Sequence, residues 1–255
     1  MPRRMRISAC GYHHVYNRGV AKNDIFLSDQ DKEKFLEILS EISREYKFNI
    51  HSFCLMSNHY HILLENKREN LSDGMRQLNA KYANFFNKKY KRVGHLWQDR
   101  FKSWFVLGSN YLFTLFKYIE SNPIKAHLSK NIGEYKYSAT YSILRDCVPI
   151  FLRNSFVLRD FNTIELFDAL KIPLNEAELE NLEKFKKKKF KFENKEAVEV
   201  VKIQLNEFFI DISSKEKRNL AIQKAYVNDY TKSEIARELG LSIAGVSKIL
   251  KKCKV

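Results

Sequence analysis

The chain has no run of about 18 apolar residues, the length a helix needs to cross a bilayer, so a membrane-spanning helix is excluded. Its 4 cysteines, Cys10, Cys54, Cys147 and Cys253, lie far apart with no C-x-x-C pair. That spacing excludes the common zinc frames and reads as the reduced thiols of a cytosolic protein. The opening Met1-Pro2-Arg3-Arg4-Met5-Arg6 is basic but leads into no apolar stretch, so no secretory leader is expected. Only 8 Gly and 4 Pro punctuate 255 residues, which leaves few turn signals. Acid is short too: 30 Asp+Glu face 45 Lys+Arg, a formal charge of +15 with a pI near 9.5. Such an excess suits a polyanion, and with no membrane segment the expected partner is nucleic acid.

What the sequence does hold is periodic, and 44% hydrophobic against 29% charged residues fits a globular chain with room for one core and a smaller unit. Residues 11–17 (GYHHVYN) predict a strand ended by Arg18-Gly19. A helix capped by Asp29 or Asp31 follows to about Tyr46, with Phe35, Ile38, Leu39 and Ile42 at helical spacing. Residues 48–56 and 59–65 predict a hairpin about Ser57-Asn58. A second helix spans Leu71 to about Tyr90 and carries Met75, Leu78, Tyr82, Phe85 and Phe86. Residues 95–107 predict another strand with an irregular approach, and 109–122 a third helix. Pro123 ends that helix, because a residue before proline avoids α geometry. Strand, helix, strand, strand, helix, strand is a split βαβ: an α+β, ferredoxin-like fold with an antiparallel sheet.

Beyond about residue 150 the composition changes. Residues 176–197 run from acidic to basic, with Lys186 to Lys189 consecutive, and read as a solvated helix or linker. Helices near 216–227, 231–239 and 242–252, with Gly240 before the last, predict a helix-turn-helix in an all-α C-terminal region. The expected organisation is 1–148 for the α+β domain, 149–213 for a helical linker region and 214–255 for the helix-turn-helix.

His59 and His61 are two apart on a predicted strand, so both imidazoles leave one face, where two neutral rings can share a divalent cation. Two partly exposed histidines on a sheet would give the same H-x-H spacing. Tyr118 and Asn122 are spaced i, i+4, one above the other on a helix. An amide oxygen from Asn122 is a hard ligand suited to Mg²⁺ or Mn²⁺. A phenol is a weak nucleophile until a base or cation favours its anion, and beside such a cation Tyr118 could attack a phosphodiester. It could equally be a packing tyrosine, one of 13.

Five segments choose between these readings: 11–19 (GYHHVYNRG), 53–65 (FCLMSNHYHILLE), 71–79 (LSDGMRQLN), 94–103 (GHLWQDRFKS) and 117–128 (KYIESNPIKAHL). In order and approximate spacing they resemble the REP-associated tyrosine transposases, a branch of the single-tyrosine, IS200-like HUH family, over residues 11 to about 145. The resemblance implies that His59, His61 and Asn122 hold Mg²⁺ or Mn²⁺ and that Tyr118 is the nucleophile. It implies cleavage and rejoining of single-stranded DNA near palindromic-repeat hairpins through a 5′-phosphotyrosine. It further implies a protein of the cytoplasm and nucleoid, monomeric rather than dimeric. Two features depart from the family. Tyr60 stands where an aliphatic residue is usual, which bears on packing, and more than 100 residues follow the family domain.

Other candidates are secondary. His14 aligns with the family's strand-one histidine, with His13 beside it as the alternative, and Glu65 could support the pair from the same strand face. His95, Arg100, Lys102 and Trp104 could line a DNA path by stacking and phosphate contact. On the last helix, Ser242, Ala244, Ser247 and Lys248 could reach base edges, with Lys251 and Lys252 on phosphates. A DNA-binding regulator that cleaves nothing, and a metal-dependent hydrolase using water, are the rival functions.

Overall fold

The computed structural model describes residues 9–106, 111–187, 190–193, 196–199, 204–210, 212–227 and 230–252. Residues 1–6, Lys188, Lys189 and Cys253 lie outside these, as do the side chains of Lys186, Lys187, Lys251 and Lys252. The chain divides into two compact units, Met1–Val198 and Glu199–Val255, where the sequence suggested breaks near 148 and 213.

In the first unit β1 (Gly11–Arg18), β2 (Phe48–Leu55), β3 (His59–Asn66) and β4 (Lys102–Val106) form one sheet. Its order is β2-β3-β1-β4 with every neighbouring pair antiparallel. With α1 (Asp29–Tyr46) before β2 and α2 (Leu71–Lys89) before β4, this is the ferredoxin-like arrangement. The approach to β4 is irregular, stitched to the end of β1 by Val20 N to Leu96 O at 2.9 Å and Gln98 N to Arg18 O at 3.0 Å.

The period of two sorts the side chains. Val15, Tyr60, Ile62 and Leu64 are fully buried under α1 and α2, a burial that stabilises by about 2 kcal/mol per large side chain. The ring of Tyr60 lies 4.8 Å from Phe35 and 5.7 Å from Trp97, and its hydroxyl donates to Asn79 Oδ1 at 3.0 Å. The unusual aromatic residue is therefore absorbed by packing. Gly74 lets α2 close on the sheet, since a Cβ there would come within 2.5 Å of the Phe48 ring.

The N-cap of α1 is Ser28 rather than Asp29 or Asp31. Asp31 sits at the third helical position and accepts from Ser28 N at 3.0 Å and Leu27 N at 2.8 Å. Lys89 Nζ and Tyr90 Oη, both at 2.7 Å, complete its shell from the end of α2. Burial alone would raise the Asp31 pKa, but these four donors together bring it below its ordinary value.

On the other sheet face α3 (Leu112–Glu120) packs against β2 and β3 and α5 (Ala139–Leu144) against β2, with α4 (Asn122–Lys125), α6 (Phe156–Asp160), α7 (Thr163–Lys171) and α8 (Glu176–Lys187) the remaining helices of the unit. Leu152, Phe156, Val157, Leu166, Leu170 and Leu182 are buried in the same core. Residues 150–182 are thus part of the first unit rather than a linker. Beyond them β5 (Phe190–Glu193) and β6 (Glu196–Glu199) make a two-stranded sheet, so among the described residues the C-terminal region is helical apart from this pair.

The second unit packs α9 (Lys215–Val227), α10 (Lys232–Glu238) and α11 (Ile243–Lys252) around Ile222, Ala225, Ile235, Ala236, Val246 and Leu250. Thr231 and Glu234 form a capping box at α10. Gly240, at φ +62°, makes the turn between α10 and α11. Among the described residues no helix is long and apolar enough to cross a membrane, and Cys10, Cys54 and Cys147 are unbridged.

Candidate active site

His59 and His61 leave β3 on the face away from α1 and α2, their ring centroids 5.1 Å apart. Register puts Tyr16 of β1 opposite His61, and His14 opposite both Leu63 and Trp104. A cluster of rings results: His14 stacks on His61 at 5.0 Å, Tyr16 lies 5.7 Å from His61, and Trp104 meets His14 edge-on at 4.5 Å. From α3, Tyr118 closes the cluster with its ring 6.4 Å from that of His14. The structure thus brings His59, His61 and Tyr118, predicted from separate segments, to one sheet face.

The nitrogens of the pair are already oriented. Asn58 Oδ1 lies 2.6 Å from His59 Nδ1. Because an amide oxygen can only accept, Nδ1 of His59 carries the proton and Nε2 its lone pair. Desolvation, joined by the charge of Arg18, lowers the His59 pKa to about 4, so the ring is neutral and competent to ligate at ordinary pH. His61 Nδ1 lies 2.9 Å from His14 Nε2. If His61 donates there, its own Nε2 is the ligand atom, and His14 acts as the outer partner that fixes the ring.

The helix that carries Tyr118 differs from expectation. Pro123 does not follow the helix end: α3 stops at Glu120, and Pro123 lies in the first turn of the short α4, where a missing N–H costs nothing. Tyr118 and Asn122 therefore stand on either side of a break. The Asn122 amide spans it, donating from Nδ2 to the carbonyls of Tyr118 at 3.0 Å and Ile119 at 2.9 Å. With Nδ2 engaged, Oδ1 is the atom left to meet a cation. Two imidazole nitrogens and one amide oxygen fit Mg²⁺ or Mn²⁺. Among the described residues no three His, Cys, Asp or Glu side chains gather as a cation cluster.

Two residues that sequence reasoning missed hold Tyr118 in place. Lys125 sets its ammonium 4.3 Å from the Tyr118 ring centroid. Glu120, fully buried, accepts from Ser52 Oγ at 2.7 Å, from Thr140 N at 3.0 Å and from the Thr140 hydroxyl. Burial raises its pKa, against the lowering effect of these bonds. Glu120 so ties α3 to β2 and to the start of α5. A buried carboxylate two residues from the tyrosine was visible in the string KYIESN, but its partners lie far away in sequence.

The remaining candidates scatter. His13 faces the opposite side, bonded through Nε2 to Ala9 O at 2.9 Å, and desolvation lowers its pKa to about 4. Glu65, four residues beyond His61 on β3, takes Asn49 Nδ2 at 2.9 Å and so serves the far end of the strand. Lys102 and Trp104 join the histidine face, whereas His95 and Arg100 line a separate groove of about 1090 Å³ against α2. Trp97 is a packing residue, its Nε1 donating to Asn79 O at 2.9 Å. In the second unit Ser242 accepts from Gly245 N at 3.0 Å and caps α11, while Ala244 and Lys248 are exposed and Ser247 half-buried.

Comparison with known proteins gives three findings. Residues 6–122 match the model of a family described as "Transposase IS200 like". A solved REP-associated tyrosine transposase bound to a REP hairpin is 16% identical over 59% of this chain and 88% of that one, with a TM-score of 0.47. A structure described as a transposase from Deinococcus radiodurans R1 is 16% identical over 48% of this chain and 97% of that one, with a TM-score of 0.34. No curated protein matches the chain.

Proposed function

We propose, from the match of residues 6–122 to the model of an IS200-like transposase family, that the chain cuts and rejoins single-stranded DNA, with Tyr118 as nucleophile and a divalent cation at His59, His61 and Asn122. The observation that carries this reading is the convergence of an Nε2-ready His59, a His14-oriented His61 and Tyr118 on one sheet face. A bound Mg²⁺ or Mn²⁺ would polarise the phosphodiester and offset charge on its oxygens. The Tyr118 oxygen bonds to phosphorus as the bond to the 3′ oxygen breaks. The phenol gives up its proton and the departing 3′ oxygen gains one, leaving a 5′-phosphotyrosine. A second 3′-hydroxyl then displaces Tyr118 without ATP, because the ester energy is retained. Lys125 supplies positive charge over the face of the Tyr118 ring.

Lys102 and Trp104 are the proposed strand contacts beside the site, by phosphate and stacking. We further assign α10 and α11 as a helix-turn-helix in which Ser247 and Lys248 approach duplex DNA, with His95 and Arg100 in a separate contact region. The reading is of a monomer in the cytoplasm near the nucleoid, acting on hairpins of palindromic repeats.

The test incubates the chain with labelled single-stranded hairpin DNA and Mn²⁺, followed by a denaturing protein gel. A labelled adduct that disappears in Tyr118→Phe is the expected result. Cleavage without adduct would point instead to a hydrolase, and binding without cleavage to a regulator.

A further inference from the structure

A cavity of about 1100 Å³ opens behind the Tyr118 helix, bounded by α3, α4, α5, α7 and the start of α8, largely outside residues 6–122. Ile132, Leu144 and Leu170 give it apolar walls. Phe167 and Ile164, also in the lining, are 47% and 76% exposed. Two large apolar side chains left in water at the mouth of one cavity mark a binding surface rather than scatter.

Its charge is the second observation. Lys117, Lys125 and Lys130 line the cavity, and among the described residues none of the three makes an ion pair. The acidic residue in the lining, Glu134, is committed to Lys130 N, Asn131 N and the Asn131 amide. Lys117 is the sharpest case: it is only 6% exposed, and its ammonium lies 6.0 Å from the Phe113 ring. A lysine that buried is ordinarily paired, because its charge is costly to remove from water. Lys125 joins this cavity to the chemistry, since the same ammonium stands over the Tyr118 ring.

We propose that this cavity is a nucleotide subsite for the strand leading away from Tyr118, with one base against Phe167 and its phosphates on Lys117, Lys125 and Lys130. The proposal rests on the transposase reading. An apolar wall with an aromatic edge takes any base by its π-face, and unpaired ammoniums take the backbone. The subsite therefore selects single strands over duplex.

The test uses the full chain as Tyr118→Phe, so that binding is separated from cutting, in EDTA with a fluorescent oligonucleotide carrying 5-iodouracil. After irradiation the cross-linked peptides are identified by mass spectrometry. Cross-links within residues 163–174 are expected. Phe167→Ala should weaken binding about fivefold or more. Lys130→Gln should make the slope of log affinity against log salt about 0.7 shallower. Cross-links confined to residues 11–18 and 102–106, with Phe167→Ala unchanged, would overturn the subsite and leave the transposase reading intact. Absence of single-strand binding anywhere would overturn both.

Discussion

Nε2 of His14 lies 2.9 Å from Nδ1 of His61, across 47 residues of sequence and one strand pairing. One proton is shared by these two nitrogens, so whichever ring holds it decides whether His61 can offer Nε2 to a cation. His14 is thereby a positioning residue. Outer partners of ligating histidines typically change metal affinity 10–100-fold, and His14→Phe is expected to weaken Mn²⁺ binding by about that factor. Calorimetric titration of both proteins checks it, and equal affinities would show that His14 only packs.

Glu120 predicts a split between stability and metal binding. Glu120→Ala strands Ser52 Oγ and the two Thr140 donors in a buried place, at a cost on the order of 3 kcal/mol. Glu120→Gln keeps the shape but turns an amide N–H toward donors, and should lose less. Both variants should slow adduct formation, because α3 loses its tie to β2, while Mn²⁺ affinity at the histidine pair stays put. An unchanged melting temperature in Glu120→Ala would be fatal to this account.

Acid should unfold the first unit early. His13, His51 and His59 all have pKa values lowered by desolvation to about 4, from an ordinary 6.5. Between these values the unfolded chain binds more protons than the folded one, so their contribution is whole above pH 6.5 and is lost as pH falls toward 4. Glu120, with its raised pKa, works the other way but is one group against three. The melting temperature should fall over this window, and less steeply in His13→Gln. A flat profile between pH 6.5 and 4 would contradict the desolvation of these rings.

Sheet and histidine face were legible in the sequence because alternation is local: His59 and His61 had to share a side, and Tyr60 had to be buried. The α1 core stripe Phe35, Ile38, Leu39 and Ile42 was legible for the same reason, all four being buried. What was hidden depended on distant contacts. Glu120 meets its partners Ser52 and Thr140 only once β2 and the start of α5 come to α3. The break at Ser121 was misread because a proline that ends one helix and a proline that starts another leave the same trace in sequence. Residues 150–182 looked like a linker since their apolar positions come in short helices, each too brief to show a period.

The two outer edges of the sheet are unequal. That of β2 is closed by the chain itself: Leu55 N donates to Tyr137 O at 3.0 Å, Tyr135 Oη to Leu55 O at 2.7 Å, and Cys54 bridges to Ser138. Among the described residues β4 is the edge left, five residues long, and unpaired strand edges invite strands from other copies. Its side chains on the histidine face are Lys102 and Trp104, the ones assigned to DNA. DNA held on that face would lie alongside the open edge, and its bulk and charge would guard against edge-to-edge aggregation. Protein prepared free of DNA is the form expected to clump.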